Sequence, residues 1–183
     1  MPAILLRLLL TGLGWGLLAS ASGACELISP ADLQAAVQQT EALEQRSQLP
    51  GVCRYSWRKA DWEAIEAANQ EQLKNLSRSS AGYQPTSIWA RLEVEVYFAG
   101  ESAEQAQQRY SNTLAGDLPK SYGSPDPLAS AHFEKVDAHQ AWSASNRQLL
   151  VHKGQRIYLL QVEVHPEVDK DKALALKLAA QLP

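Results

Sequence analysis

The sequence predicts an α+β domain: a mostly antiparallel sheet with helices packed on one face. Three observations carry this reading. Ile88 to Phe98 alternates apolar and polar residues over a full strand length. Phe133 to Val164 reads as a run of short strands around a Lys153-Gly154 turn. Four separate stretches carry helical periodicity, three of them with recognisable start signals. Strands grouped late in the chain and helices scattered before and after them suit an α+β order better than a βαβ repeat.

Ser29-Pro30-Ala31-Asp32 opens the first helix, with Ser as N-cap, Pro at the first helical position and Asp where the helix dipole favours an anion. The pattern predicts a helix to about residue 48, stopped by Leu49-Pro50-Gly51. Val52 to Trp57 then alternates as a strand with Cys53, Tyr55 and Trp57 on one face. Lys59 to Ser77 reads as a second helix with Trp62, Ile65, Ala68 or Asn69, Leu73 and Leu76 on one stripe, and residues 79–87 connect it onward. In the main strand, Ile88, Ala90, Leu92, Val94, Val96 and Phe98 form the expected core set. Trp89, Arg91, Glu93, Glu95 and Tyr97 form the opposite set.

Ser102-x-x-Gln105 is a capping box that opens a third helix to about Leu114. A loop of Gly and Pro residues follows from 115 to 131. In the last strand, Tyr158, Leu160, Val162 and Val164 share one face and Ile157 and Leu159 the other, which predicts cover on both sides. Pro166 ends it, and Asp169 or Asp171 is expected to cap a final helix bearing Leu174, Leu178 and Leu182.

The first 24 residues have the layout of a secretory signal. Arg7 precedes an apolar run from Leu8 to Leu18, and small residues follow, with cleavage expected after Ala21 or Ala24. Residues 25–183 then form the folded domain, large enough to bury about 70% of the unfolded chain's surface. The chain holds 17 Lys+Arg against 20 Asp+Glu. Removing Arg7 leaves 16 against 20, a net charge of -4 that excludes a dedicated nucleic-acid binder. The expected location is the periplasm or the extracellular medium. There, Cys25 and Cys53 have competing readings: a disulfide closing a long loop, or a lipid anchor on Cys25 that would leave Cys53 unpaired. Ser22 stands where a lipidation box usually carries Leu, which weakens the anchor.

Catalytic motifs are missing. There is no Gly-x-Ser-x-Gly elbow and no phosphate loop. His132, His139, His152 and His165 lack metal-ligand spacing, so neither metal nor cofactor is expected; Asp137 and His139 read as surface residues. Glu93 and Glu95 share a strand face, but cross-strand pairing accounts for them better than acid/base work. The most informative surface is that polar face: Trp89, Arg91, Glu93, Glu95 and Tyr97 combine aromatic and Arg side chains as binding faces do.

Cys25-Glu26-Leu27-Ile28-Ser29-Pro30-Ala31-Asp32-Leu33, then Val52-Cys53-Arg54-Tyr55-Ser56-Trp57, then Gln140-Ala141-Trp142 before the last hairpin, resemble a set of small exported bacterial domains of unknown function. The resemblance implies a compact sheet-plus-helix fold of PsbP-like type and a Cys25–Cys53 disulfide, and it brings no catalytic residue. The expectation is an exported, non-catalytic binding module of the cell envelope whose partner is an envelope protein, an immunity or inhibitor protein being a narrower form. The alternatives are an envelope enzyme using Glu93, Glu95 or His139, and a lipid-anchored structural protein.

Overall fold

The structure is a computed structural model and describes residues 27–38, 43–45, 49–75, 85–117, 128 and 131–183. The signal-like segment, Cys25 and most of the 115–131 loop lie outside them. The architecture is α+β. The strands are β1 (Glu44–Gln45), β2 (Val52–Arg58), β3 (Trp89–Ala99), β4 (Glu134–Lys135), β5 (Gln140–Ser143), β6 (Gln148–Lys153) and β7 (Arg156–Glu163). They form one seven-stranded sheet in the order β1-β2-β3-β7-β6-β5-β4, with every neighbouring pair antiparallel. The helices are α1 (Pro30–Val37), α2 (Trp62–Asn75), α3 (Ala103–Leu114) and α4 (Val168–Ala179).

Alternation in β2, β3 and β7 builds the main core on one sheet face. Cys53, Tyr55 and Trp57 of β2, Ala90, Leu92 and Val94 of β3, and Tyr158, Leu160 and Val162 of β7 are buried together. Leu33 of α1 and Leu174, Ala175 and Leu178 of α4 cover them. The start of the described chain belongs to this layer too: Leu27 and Ile28 are buried in it, and the Tyr55 hydroxyl donates to the Ile28 carbonyl over 3.1 Å. Tyr158 and Lys153 tie the other end down, donating to the Pro183 and Leu182 carbonyls respectively.

The second face corrects the expectation that the helices share one side. Leu150 of β6 and Ile157 and Leu159 of β7 present apolar side chains there, and water-exposed apolar area of that size needs a cover. The cover is α3, whose Tyr110 is buried against them with Leu128 and Phe133. Ser102 starts α3 as expected, its hydroxyl accepting from the Gln105 amide, while the Gln105 side chain reaches back to the Glu101 amide. β3 also departs from strict alternation. Val96 pairs with Tyr158 and Phe98 with Ile157, so Tyr97 is a bulge. Past it Phe98 leaves the expected core set and joins Tyr97 beneath α3.

Three further expectations are revised. The first helix ends at Val37 rather than near residue 48: Gln38 adopts a left-handed conformation (φ 56°) and Glu44–Gln45 pairs with β2 as an edge strand. Residues 38 to 48 hold few apolar side chains to keep a helix on the sheet, and an edge pair satisfies the outer backbone of β2 instead. In α2 no residue is fully buried, and Trp62 is only partly so. This helix is tethered rather than packed. The Asn69 amide exchanges two hydrogen bonds with the Thr86 backbone, both 2.9 Å.

In α4 neither Asp169 nor Asp171 is the N-cap; Glu167 occupies that position, and its side chain makes no capping bond to the helix amides. Asp171 instead turns inward, fully buried, and accepts from the Val164 and His165 amides, from His165 Nδ1 at 2.9 Å and from Arg147 Nη1 at 2.6 Å. Arg147, itself at φ 52°, also donates to the His165 and Pro166 carbonyls. One carboxylate thereby joins the β5–β6 turn, the exit of β7 and the first turn of α4.

Two outcomes follow. Asp171→Ala removes the carboxylate partner of Arg147 and the acceptor of two backbone amides and should cost about 3 kcal/mol in urea unfolding at constant slope. Lys170→Ala, which removes an exposed pair with Glu167, should cost under about 0.5 kcal/mol, and equal losses would refute the assignment. Tyr110 is pushed up to about 12, first by burial and then by the charge of Asp137. The unfolded chain loses this proton from its ordinary value of 10.0, so stability present below pH 10 declines as pH rises toward 12. The decline should exceed that of Tyr110→Phe by about 2 kcal/mol at the upper end. Identical alkaline profiles for the two proteins would contradict it.

Candidate functional site

Between α2 and α3 the second sheet face is left polar. The ladder register runs a single row across five strands: Arg54 opposite Glu93, Glu93 opposite Gln161, Gln161 opposite Gln148, and Gln148 opposite Ser143. A cleft of about 650 Å³ opens beside it, lined by Lys59, Asp61, Gln148, Gln161, Glu163 and His165 among others. A second hollow of about 370 Å³ continues from Gln161 to Arg54, Ser56, Arg91 and Glu93. Donors and acceptors of both signs face the same space. That composition suits a polar, hydrogen-bonding ligand better than an apolar one.

Two buried acceptors bear directly on this. Gln148 is 8% exposed and Ser56 7% exposed, and neither Gln148 Oε1 nor Ser56 Oγ has a hydrogen-bond partner among the described residues. Buried polar atoms in folded proteins are nearly always paired, because an unpaired one loses its hydration without return. By contrast Gln161 Nε2 donates to Glu163 Oε1 at 2.9 Å, and Arg54 holds Glu93 in a two-point pair at 2.6 and 2.9 Å. The Glu93 carboxylate, by hydrogen bond and then by charge, raises the Arg54 guanidinium above its ordinary value.

The five residues expected to form one binding face occupy three environments. Trp89 and Trp62 flank the Arg58 guanidinium, which lies 4.6 Å from the Trp62 ring centroid and 5.7 Å from that of Trp89. Tyr97 belongs to the α3 contact: its hydroxyl accepts from Arg109 Nη2 at 3.0 Å, with Arg109 also over the Tyr97 and Phe98 rings. Arg91 and Glu93 are the two that line the polar hollow, and Glu95 stands one row further on, between Val52 and Leu159. The pairing of Glu93 with its register partner Arg54 is the cross-strand arrangement expected for it.

Ser56, Gln148 and Gln161 are not among the expected site residues, and His165 and Asp171 enter the sequence analysis only as a metal-ligand candidate and a helix cap. One signal was present. Ile157, Leu159, Gln161 and Glu163 occupy one face of β7, and the switch from apolar to polar marks where helix cover stops. His165 and Asp171 are six residues apart across a turn, a spacing with no periodic signature. His139 lies just before β5, its Nδ1 3.3 Å from Nδ1 of His152. Among the described residues no helix is long and apolar enough to cross a membrane. Comparison with protein-family models, with curated proteins and with solved structures finds no match to this chain.

Proposed function

We propose that this chain is an exported, non-catalytic binding module of the bacterial cell envelope, and that its binding surface is the polar cleft on the second sheet face. The observation that carries the reading is the pair of buried polar atoms, Gln148 Oε1 and Ser56 Oγ, without partners among the described residues beside an open, mixed-charge hollow. A polar segment of a partner protein supplies donors to both, with Arg91 as the exposed charge at the rim. An immunity or inhibitor protein is a narrower form of the same reading. The enzyme reading has one observation in its favour, the His165–Asp171 pair at the cleft wall. Asp171 accepts from Arg147 and two backbone amides as well, so its structural duty is accounted for without catalysis.

Export rests on the signal layout of residues 1–24, and a Cys25–Cys53 disulfide on where Cys53 lies. Cys53 is buried at 3% exposure in the same cluster as Leu27 and Ile28, and Cys25 is two residues before Leu27. A disulfide there would fasten the incoming chain to β2 and leave no thiol for a lipid.

A photo-crosslinking residue at position 91 should capture a discrete envelope protein, and the same residue at exposed Lys177 on α4 should not. Gln148→Ala should lower the yield at position 91 at least tenfold. Equal capture from both positions, or capture unaffected by Gln148→Ala, would reject the cleft as the binding surface. An intact-mass spectrum of the exported protein should start at Ser22 or Cys25, lack two hydrogens relative to the reduced chain and carry no acyl mass. A diacylated Cys25 would replace this reading with the lipid-anchored one.

A further inference from the structure

A helix in a folded domain is held in place chiefly by the apolar face it buries. α1 buries Leu33, α3 buries Ala106, Tyr110 and Thr113, and α4 buries Leu174, Ala175 and Leu178 among others, whereas α2 buries nothing fully. Trp62, Ile65 and Asn69 are its half-buried residues and the remainder of the helix is exposed. The spacing of these three puts them on one stripe, and each has a different neighbour. Trp62 lies on the Arg58 guanidinium at 4.6 Å, at the helix start. Ile65 forms part of the cleft wall, opposite Gln148 and Gln161 of the sheet. Asn69 makes the two hydrogen bonds to the Thr86 backbone, donating to its carbonyl and accepting from its amide.

We propose that α2 is a lid on the polar cleft, hinged at residues 60–61 and latched by Asn69 to Thr86, and that release of the latch admits a ligand to Gln148. The proposal rests on the cleft being the binding surface and adds how access to it is controlled. The two ends of the helix are held unequally. Before the hinge the chain is fixed to the sheet: the Lys59 amide donates to the Ile88 carbonyl at 3.0 Å, and Arg58 is held between the Trp62 and Trp89 rings. Ala60 and Asp61, between that anchor and Trp62, are exposed and form a turn, so their backbone rotates without disturbing a packed side chain. At the latch, one side chain grips an exposed residue, where water competes for both bonds and each contributes little net. Opening is therefore a swing about the Trp62 end that costs far less than unfolding the sheet. Ile65 lies between hinge and latch, and Thr86 lines the same cleft, so the swing lifts one wall away from Gln148, which is 8% exposed with the lid down.

The competing account is a fixed helix beside a static cleft, and thiol labelling separates the two. In a Gln148→Cys chain treated with iodoacetamide and read by peptide mass mapping, the new thiol should react at least tenfold more slowly than that of Lys177→Cys on the exposed side of α4. Adding Asn69→Ala should speed its labelling at least tenfold. Asn75→Ala, which gains the same helix propensity but removes only the exposed bond to Glu71 within α2, should leave the rate unchanged. Gln161→Cys, from the neighbouring strand of the same cleft, should respond as Gln148→Cys does. Ala106→Cys, buried beneath α3, should stay unreactive with or without Asn69, which distinguishes a lid from general loosening. Fast labelling at position 148 with the latch intact, no acceleration by Asn69→Ala, an equal acceleration by Asn75→Ala, or acceleration at position 106 in step with 148 would each overturn the lid. Labelling needs no partner, so its failure is distinct from a failure to capture an envelope protein at position 91.

Discussion

One extra residue in β3 governs the second face of the sheet. Up to Val96 the strand sends alternate side chains to opposite sides, Leu92 and Val94 inward to the main core and Arg91, Glu93 and Glu95 outward. The bulge at Tyr97 resets the parity, so Tyr97 and Phe98 both reach the outer face. Together with Leu150, Ile157 and Leu159 they form an apolar platform of sufficient width to hold α3. Without the bulge Phe98 would lie with the main core and Arg109 would lose one of the two rings beneath it. Because α3 is seated at that end, the remainder of the face stays open.

The open remainder is polar for a reason that follows from cover. On β7, Ile157 and Leu159 lie below α3 while Gln161 and Glu163 lie beyond its reach, and the β6 partner changes in step from Leu150 to Gln148. Leu159 faces Glu95 and Leu150; Gln161 faces Glu93 and Gln148. α2 does not substitute for a second covering helix, since none of its residues is fully buried and its tether is the Asn69 exchange with Thr86. The cleft is therefore the gap between a helix that packs and a helix that only leans. Asp171 closes its far wall by holding Arg147 and His165 in place, a buried carboxylate whose cost is offset because donors reach both oxygens, Arg147 on Oδ2 and His165 with the Val164 amide on Oδ1.

Much of the fold was legible wherever burial and periodicity agree. Cys53, Tyr55 and Trp57 face the core as their alternation requires, and both sides of β7 are covered as its two apolar sets imply. Ser102 and Gln105 cap α3 because capping is a local matter, settled within a few residues. The helix expected to continue to residue 48 departs for the converse reason: Gln38 turns left-handed and Glu44–Gln45 pairs with Ser56 and Tyr55 across the chain, so a long-range ladder outweighs a local pattern. The candidate site was legible in part. Arg91 and Glu93 do border the hollow, but Trp89 and Tyr97 are engaged by Arg58 and Arg109, and nothing along β3 reveals which cation comes to which ring. Gln148, Gln161 and Ser56 come from three strands and meet only through register.

By itself, then, the sequence determined the class of the fold, the inward sets of the long strands, the start of α3 and the character of the polar face, because each depends on neighbours within one element. Only the tertiary structure decided that α3 takes the opposite face, that β3 bulges, that Gln148 Oε1 and Ser56 Oγ find no partner among the described residues, and that His139 meets His152. These depend on ladder register and on which surface a helix must cover, and both are set by contacts between residues far apart in the chain.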